Sequence, residues 1–326
     1  MRKKIFTLSS TLLILHLGLI GLKAQQAPPP ARAGVLILES ERPESQAIRG
    51  LREGLKALGY NEKRNILLEI RNAKADPGAL KALAGELVGR KVGLLFTIGT
   101  RATQAAQAAT SEIPVVFVHA VDPMASGFIK SMTNPGGNLT GVASFAQQAT
   151  EKRLEIFKEI VPKMRRVFIF YDVNNPFVRE NLGRTVGPKL GLELVEKPIK
   201  SAEELKNSIH SLQQREGDGL FHIPDHLVES QADFLLQVTR QKALPTMFHE
   251  EIWTIKGALA AYGPSYYHMG RQAAGFVDKI LKGKRPQELP VERSSKFELI
   301  INYRVANAMG LTVPPAVLKK ADKVIR

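Results

Sequence analysis

The sequence predicts an α/β protein made of two Rossmann-like lobes, each built on a parallel sheet. Three observations predict it. Short apolar runs alternate with helical patterns of about 10–15 residues, the signature of parallel β–α units. The cycle restarts near residue 150. The chain has 326 residues, about two domains at roughly 100–200 residues each, and too many strands for one comfortable sheet. No internal sequence repeat links the halves, so their likeness is expected to be architectural.

The first cycle opens with the run 34–38 (GVLIL), read as a buried strand. A helix over 44–58 follows, with Ile48, Leu51, Leu55 and Leu58 at three- and four-residue spacing and Gly59 as its stop. Strand 66–70, the Ala- and Leu-rich helix 77–90, strand 92–98, the Ala-rich helix 100–110 and strand 114–119 come next. After the turn at 135–137 (PGG), residues 139–145 are a last strand of this half.

The second cycle starts with a helix over 152–160 and the strand 166–171 (RVFIFY). It continues through helix 176–186, strand 192–198, helix 202–213, strand 219–223 and helix 227–241. Short strands at 245–249 and 258–261 precede a helix over 266–281. A charged, Pro-containing connection at 282–290 leads to strand 297–302 and helix 303–309.

Residues 1–24 read as a signal peptide. Arg2, Lys3 and Lys4 precede an apolar stretch from Ile5 to Leu22, and Ala24 suits the residue before a cleavage point. Thr7, Ser9, Ser10, Thr11 and His16 dilute the stretch and favour cleavage over a retained anchor helix. Residues 25–30 are a linker stiffened by Pro28–Pro30. Cysteine is absent, so a lipoprotein, disulfides, thiolate metal sites and a thiol nucleophile are excluded. The mature chain is expected in a bacterial periplasm.

The net charge of +15 favours anionic surfaces or ligands. The basic residues are scattered without interleaved aromatics, so nucleic acid is not an expected partner. No P-loop, no G-x-G-x-x-G after a strand and no G-x-S-x-G elbow occurs. No catalytic residue and no cofactor is expected. His222 and His226 flank Asp225 with a metal-like spacing, but Pro224 keeps the histidines off one helical face, so no metal is expected there either.

The ends of the strands carry the functional signal, because ligands of parallel α/β sheets bind outside the carboxyl ends. Those ends supply Glu39 and Ser40, then Gly99 and Thr100 with Arg101 beside them, then His119 and Asp122. In the second half they supply Asp172, Asn174 and Asn175, then His222 and Asp225, then His249 and Glu250. Gly99–Thr100 opens a helix, whose free N–H groups suit a carboxylate. Tyr262, Tyr266 and Tyr267 are placed to cover an apolar part of a ligand. Any one of these residues is as well explained by a polar loop or a helix cap; the set, spread over both halves, points to a ligand cleft.

Several stretches resemble the substrate-binding proteins of bacterial ABC transporters of the tryptophan/tyrosine type. They are 51–65 (LREGLKALGYNEKRN), 122–142 (DPMASGFIKSMTNPGGNLTGV), 152–162 (KRLEIFKEIVP), 259–270 (LAAYGPSYYHMG) and 296–314 (KFELIINYRVANAMGLTVP). His222 and the acidic 39–41 depart from the family's pattern. The resemblance implies a type I periplasmic-binding-protein fold, with crossover strands joining the lobes and one ligand at the hinge cleft. Lobe 1 is then 31–143 with 265–283, and lobe 2 is 146–262 with 288–326.

Carried over residue by residue, the resemblance marks the Gly99–Thr100 turn, Asp225, Tyr262 and Ser144, at the crossover, as cleft residues. The expected ligand is an amino acid or related carboxylate. Thr100 donates to its carboxylate, Asp225 accepts from its ammonium across the cleft, and Tyr262 flanks its side chain. An Asp225 in that role is solvated when the cleft is empty and dispensable for folding. The expected role is a monomeric, non-enzymatic receptor delivering its ligand to an ABC permease in the inner membrane. The alternatives are a ligand sensor for a membrane signalling partner and, less favoured, a cleft enzyme.

Overall fold

The computed structural model describes residues 29–38, 45–74, 76–120, 122–144, 146–175, 178, 186–213, 215 and 218–326. The leader, Glu39, Ser40 and most of the expected helix 176–186 lie outside the described residues. Among those described, no helix is long and apolar enough to cross a membrane.

The first sheet uses strands β1 (Ala31–Ile37), β2 (Ile66–Asn72), β3 (Leu94–Ile98), β4 (Val115–Ala120) and β5 (Leu139–Ala143). They stand in the order β2-β1-β3-β4-β5, all parallel. The second sheet repeats that order with β6 (Arg166–Asp172), β7 (Glu193–Ile199), β8 (Asp218–Phe221), β9 (Thr246–Phe248) and β10 (Ala260–Pro264). Both lobes therefore reverse strand order between their first and third strands, the switch point at which open α/β sheets hold ligands.

Both faces of each sheet are covered. In the first sheet Val35, Ile37, Leu94 and Phe96 point into one core, while Leu36, Leu95 and Phe117 point into another. In the second, Val167 and Ile169 alternate with Phe168 and Phe170 between two further cores. This is why the strands read as unbroken apolar runs rather than as alternation.

The helices cross over between successive strands: α1 (Gln46–Ala57), α2 (Leu80–Gly89) and α3 (Thr100–Ala109) in the first lobe. The second contains α4 (Ala146–Ile160), α5 (Val186–Lys189), α6 (Ala202–His210), α7 (His226–Ser230), α8 (Ala232–Gln241) and α9 (Glu251–Lys256). The expected helix 227–241 is thus two helices, parted at Gln231. Helix α10 (Tyr266–Leu281) returns to the first lobe and packs on α1. That packing is very close: a Cβ on Gly50 would meet the Tyr267 carbonyl oxygen at 1.9 Å, and one on Gly270 the Ala47 oxygen at 2.0 Å.

The strand β11 (Glu292–Arg293) pairs with β5 in the first sheet. Residues 288–326 were expected wholly in lobe 2, so this pair is a departure. Two residues with exposed side chains carry no apolar signal that would announce a strand. Strand β12 (Phe297–Asn302) then runs antiparallel to β10, followed by helices α11 (Tyr303–Ala308) and α12 (Pro315–Lys320). Strand β13 (Lys323–Ile325) closes the edge beside β12.

The chain passes between the sheets from β5 to α4, from β10 to α10 and from β11 to β12. These crossings lie side by side. Ser294 N–H donates to the Ala143 carbonyl at 2.9 Å, and Ser265 N–H to the Lys296 carbonyl at 2.9 Å.

Candidate functional site

The carboxyl ends of the strands of both sheets converge on a cluster of histidines and carboxylates. On the lobe 1 side, His119 sits near the end of β4. Its φ of 58° is in the left-handed region, and the β4–β5 register shifts between Val118 and Ala120. A non-glycine residue held there carries backbone strain, which surrounding structure must over-determine; the bulge re-aims the imidazole out of the strand's alternation. The ring of Tyr266, at the start of α10, lies 4.5 Å from it, centroid to centroid.

From lobe 2, His222 follows β8, Glu229 lies in α7, and His249 and Glu250 follow β9. His222 Nε2 is 3.4 Å from Glu229 Oε1, and His249 Nε2 is 3.6 Å from the same oxygen. His249 Nε2 also stands 2.9 Å from Glu250 Oε1, which accepts the Tyr266 hydroxyl and lies 3.8 Å from His119 Nε2. Glu250 therefore joins the lobes. His249 keeps its place through Gly263 on β10: a Cβ there would lie 1.8 Å from the His249 carbonyl oxygen.

Burial pushes the pKa values of His119 and His222 below the usual histidine range. Burial alone would raise both carboxyls. At Glu229 the hydrogen bond from His222 and the field of His249 outweigh it and hold the group low. At Glu250 the field and hydrogen bond of His249, with His119 and Tyr266, bring the carboxyl down to about 2.

A second feature is Arg153 on α4, soon after the first crossing. Its side chain is among the most deeply buried in the protein. Its guanidinium lies over the Phe221 ring at 5.2 Å. Among the described residues its hydrogen bonds are long ones, 3.4 Å to the Tyr262 carbonyl and 3.4 Å to Thr150 Oγ1, and Nε has no partner. Burial lowers its pKa to about 9, against the pull of Glu250. Tyr262 stacks on Phe297 at 5.8 Å.

A family model described as "ABC transporter substrate binding protein" matches residues 35–325. The chain belongs to that family. It is 30% identical over 269 residues to a tyrosine-binding protein of Clostridioides difficile (strain R20291), covering 82% of this chain and 77% of that protein. A conserved domain protein from Vibrio cholerae superposes with a TM-score of 0.77 at 29% identity, over 90% of this chain and 99% of that one. An ABC domain from Streptococcus pneumonia, solved with L-Trp, gives a TM-score of 0.79 at 23% identity, over 91% and 100%; it speaks for the fold.

In this substrate-binding protein the expected cleft residues take several roles. His119, His222 and His249 come together in the cluster. Gly99, with φ of 85°, caps α3, and its N–H bonds the Val118 carbonyl at 2.9 Å, which puts the Gly99–Thr100 turn beside the His119 bulge. Ser144 is buried at the crossing, its Oγ 3.4 Å from the Ala120 carbonyl. Asp122 accepts from the N–H groups of Met124 and Ala125, and Asn174 folds back on Asp172; both serve their own turns.

Asp225 corrects the expectation made of it. Its Oδ1 accepts from Val228 N–H at 3.1 Å, capping α7. Its Oδ2 accepts from Asp172 N–H at 3.0 Å and Asn175 Nδ2 at 2.8 Å. It is buried, and these contacts all lie within lobe 2. It braces the switch point of that sheet and is not the solvated, dispensable residue expected. Asp225→Ala is expected to destabilise the protein by about 2 kcal/mol, roughly half from the lost cap and the rest from donors left unpaired. Urea unfolding reads this, and an unchanged midpoint would refute the bracing role.

Sequence reasoning named Glu250 only as a strand-end residue and missed Arg153 and Glu229. The helix carrying Arg153 reads as an ordinary surface helix, and nothing local announces its burial.

Proposed function

We propose that this protein captures an amino acid outside the cytoplasmic membrane and delivers it to an ABC permease. The observation that supports the reading best is Arg153. A buried guanidinium needs a carboxylate to offset its desolvation, and among the described residues none forms an ion pair with it. A ligand carboxylate is the fitting partner, since the planar fork of an arginine takes both oxygens. Glu250 then lies on the side that receives an ammonium. The tyrosine-binding relative supports an amino acid with an aromatic side chain, for which Tyr262 and Phe297 offer a flank. Closure of the lobes on the ligand presents the surface that a permease reads.

Thermal unfolding of the purified protein with L-tyrosine, L-tryptophan and L-phenylalanine tests this, with tyramine as the analogue lacking the carboxylate. A ligand at about 100 times its Kd adds about 2.7 kcal/mol of apparent stability. The amino acid is expected to raise Tm and tyramine to leave it alone. Equal shifts from both would remove the carboxylate from recognition.

Export belongs to the same proposal. The basic start and diluted apolar stretch before Ala24 support cleavage near that residue and a soluble, non-lipidated periplasmic form. The intact mass of protein released from the periplasm is expected to lack the leader; full-length mass with membrane retention would refute it.

A further inference from the structure

The geometry points to a binding site for a divalent first-row transition metal, zinc being the reference case, formed by His222, Glu229 and His249 in lobe 2. One donor atom from each lies within 4.8 Å of the others. The two histidine Nε2 atoms stand 3.4 and 3.6 Å from the same Glu229 oxygen. Two donors on one tetrahedral zinc, each bound at about 2.0–2.1 Å, are about 3.3 Å apart. The two histidine–carboxylate edges already match such a tetrahedron; the edge between the two histidines lies within 4.8 Å and closes as the metal draws the rings together.

The supports of the rings are independent of any ligand. His222 packs against Phe248 at 4.8 Å and against His249 at 5.3 Å, centroid to centroid. Its own N–H is tied to the Met247 carbonyl. Gly263 fixes the backbone of His249 by close approach. Two imidazoles and one carboxylate suit zinc, nickel, cobalt or copper and disfavour magnesium and calcium, which take oxygen donors. Three protein ligands leave a fourth position, which faces the other lobe: Glu250, and beyond it His119, border it. A water or a donor of a bound solute completes the tetrahedron.

The Nδ1 atoms of His222 and His249 are buried and, among the described residues, have no acceptor. Metal-bound histidines normally donate that N–H, and loss of such support costs about 10–100-fold in affinity. The site is therefore expected to be a moderate binder, saturable in the micromolar range rather than permanently loaded.

The proposal is independent of the amino-acid reading and is tested with metal alone. Chelator-treated protein, in buffer free of amino acids, is titrated with zinc sulfate by calorimetry and weighed by native mass spectrometry. Cobalt(II) is added separately and its visible spectrum recorded. One zinc per chain and an intense tetrahedral cobalt band are expected, with no heat from magnesium or calcium. His222→Ala, His249→Ala and Glu229→Gln are each expected to weaken zinc by at least about tenfold, while His226→Ala, on the exposed start of α7, leaves it unchanged. Circular dichroism follows each variant. If a histidine variant fails to fold, Glu229→Gln, whose side chain is partly exposed, and the wild-type cobalt spectrum decide. Absence of saturable zinc binding, a weak octahedral cobalt spectrum, or undiminished binding by Glu229→Gln would each overturn the site.

Discussion

Arg153→Met is expected to abolish amino-acid binding while leaving the empty protein as stable as the wild type, or more so. The guanidinium is buried, and among the described residues it is hydrogen-bonded through two contacts of 3.4 Å and lacks a partner at Nε. Its lowered pKa, about 9, has burial as its largest cause. Such a group costs the empty fold desolvation energy that weak neighbours do not return. Replacing it with an apolar side chain of similar length removes that cost, which in other proteins is neutral or stabilising by about 1–4 kcal/mol. The bound state behaves in the opposite way. Losing a desolvated charge pair costs about 2–5 kcal/mol, or about 30-fold to several thousand-fold in Kd. Arg153→Lys keeps a charge but not the fork, and is expected to fall between the two. Calorimetry with L-tyrosine and thermal unfolding without ligand measure both halves. Wild-type affinity in the methionine variant would take Arg153 out of the site. A large fall in Tm without ligand would make it a structural residue.

The contrast between Arg153 and Asp225 shows what local sequence can and cannot convey. Asp225 stands three residues before Val228, at the usual spacing of an N-cap, and the helix-cap reading of its sequence matches its hydrogen bonds. Its expected part in a cleft drew on its position at a strand end and on the family resemblance. Arg153 lies in a helix where the charged residues beside it, Glu151 and Lys152, are exposed. Its burial comes from β8 and β10, which bring Phe221 and the Tyr262 carbonyl against it from far along the chain. Glu229 is hidden for the same reason: it reads as a solvated position on a short helix, and only the fold places it between His222 and His249.

Apolar strands buried on both faces were legible because each is a run of consecutive apolar residues. The two-residue β11 and three-residue β13 were not, since edge pairing asks little of side chains. The strand-end rule singled out His119, His222 and His249 one by one as ligand-facing residues, and the topology that the rule follows from is also what places them side by side. The bulge that turns His119 inward has no local marker.

The largest stability change is expected from Gly270→Ala. In helix α10 this glycine meets α1 backbone to backbone: an added Cβ would lie 2.0 Å from the Ala47 carbonyl oxygen and 2.8 Å from its carbon. The obstacle is main chain, so no rotamer change relieves it, and the two helices must separate. Overpacking of this kind typically costs about 1–3 kcal/mol and at times more. A backbone obstacle belongs at the upper end, about 3 kcal/mol. The opposing term is small, because alanine is favoured over glycine inside a helix by about 1 kcal/mol. Gly275, on the same helix, isolates that term: nothing lies within 4 Å of the Cβ it would gain. Gly275→Ala is therefore expected to stabilise by about 0.5–1 kcal/mol. The pair separates close packing from helix propensity within one element. Because α10 begins at Tyr266, whose hydroxyl donates to Glu250 across the cleft, moving the helix is also expected to weaken ligand binding in Gly270→Ala and not in Gly275→Ala. Urea unfolding and calorimetry of the two variants give four numbers. Equal stability changes in the two would refute the close-contact account, and wild-type affinity in a destabilised Gly270→Ala would sever the link from α10 to the cleft.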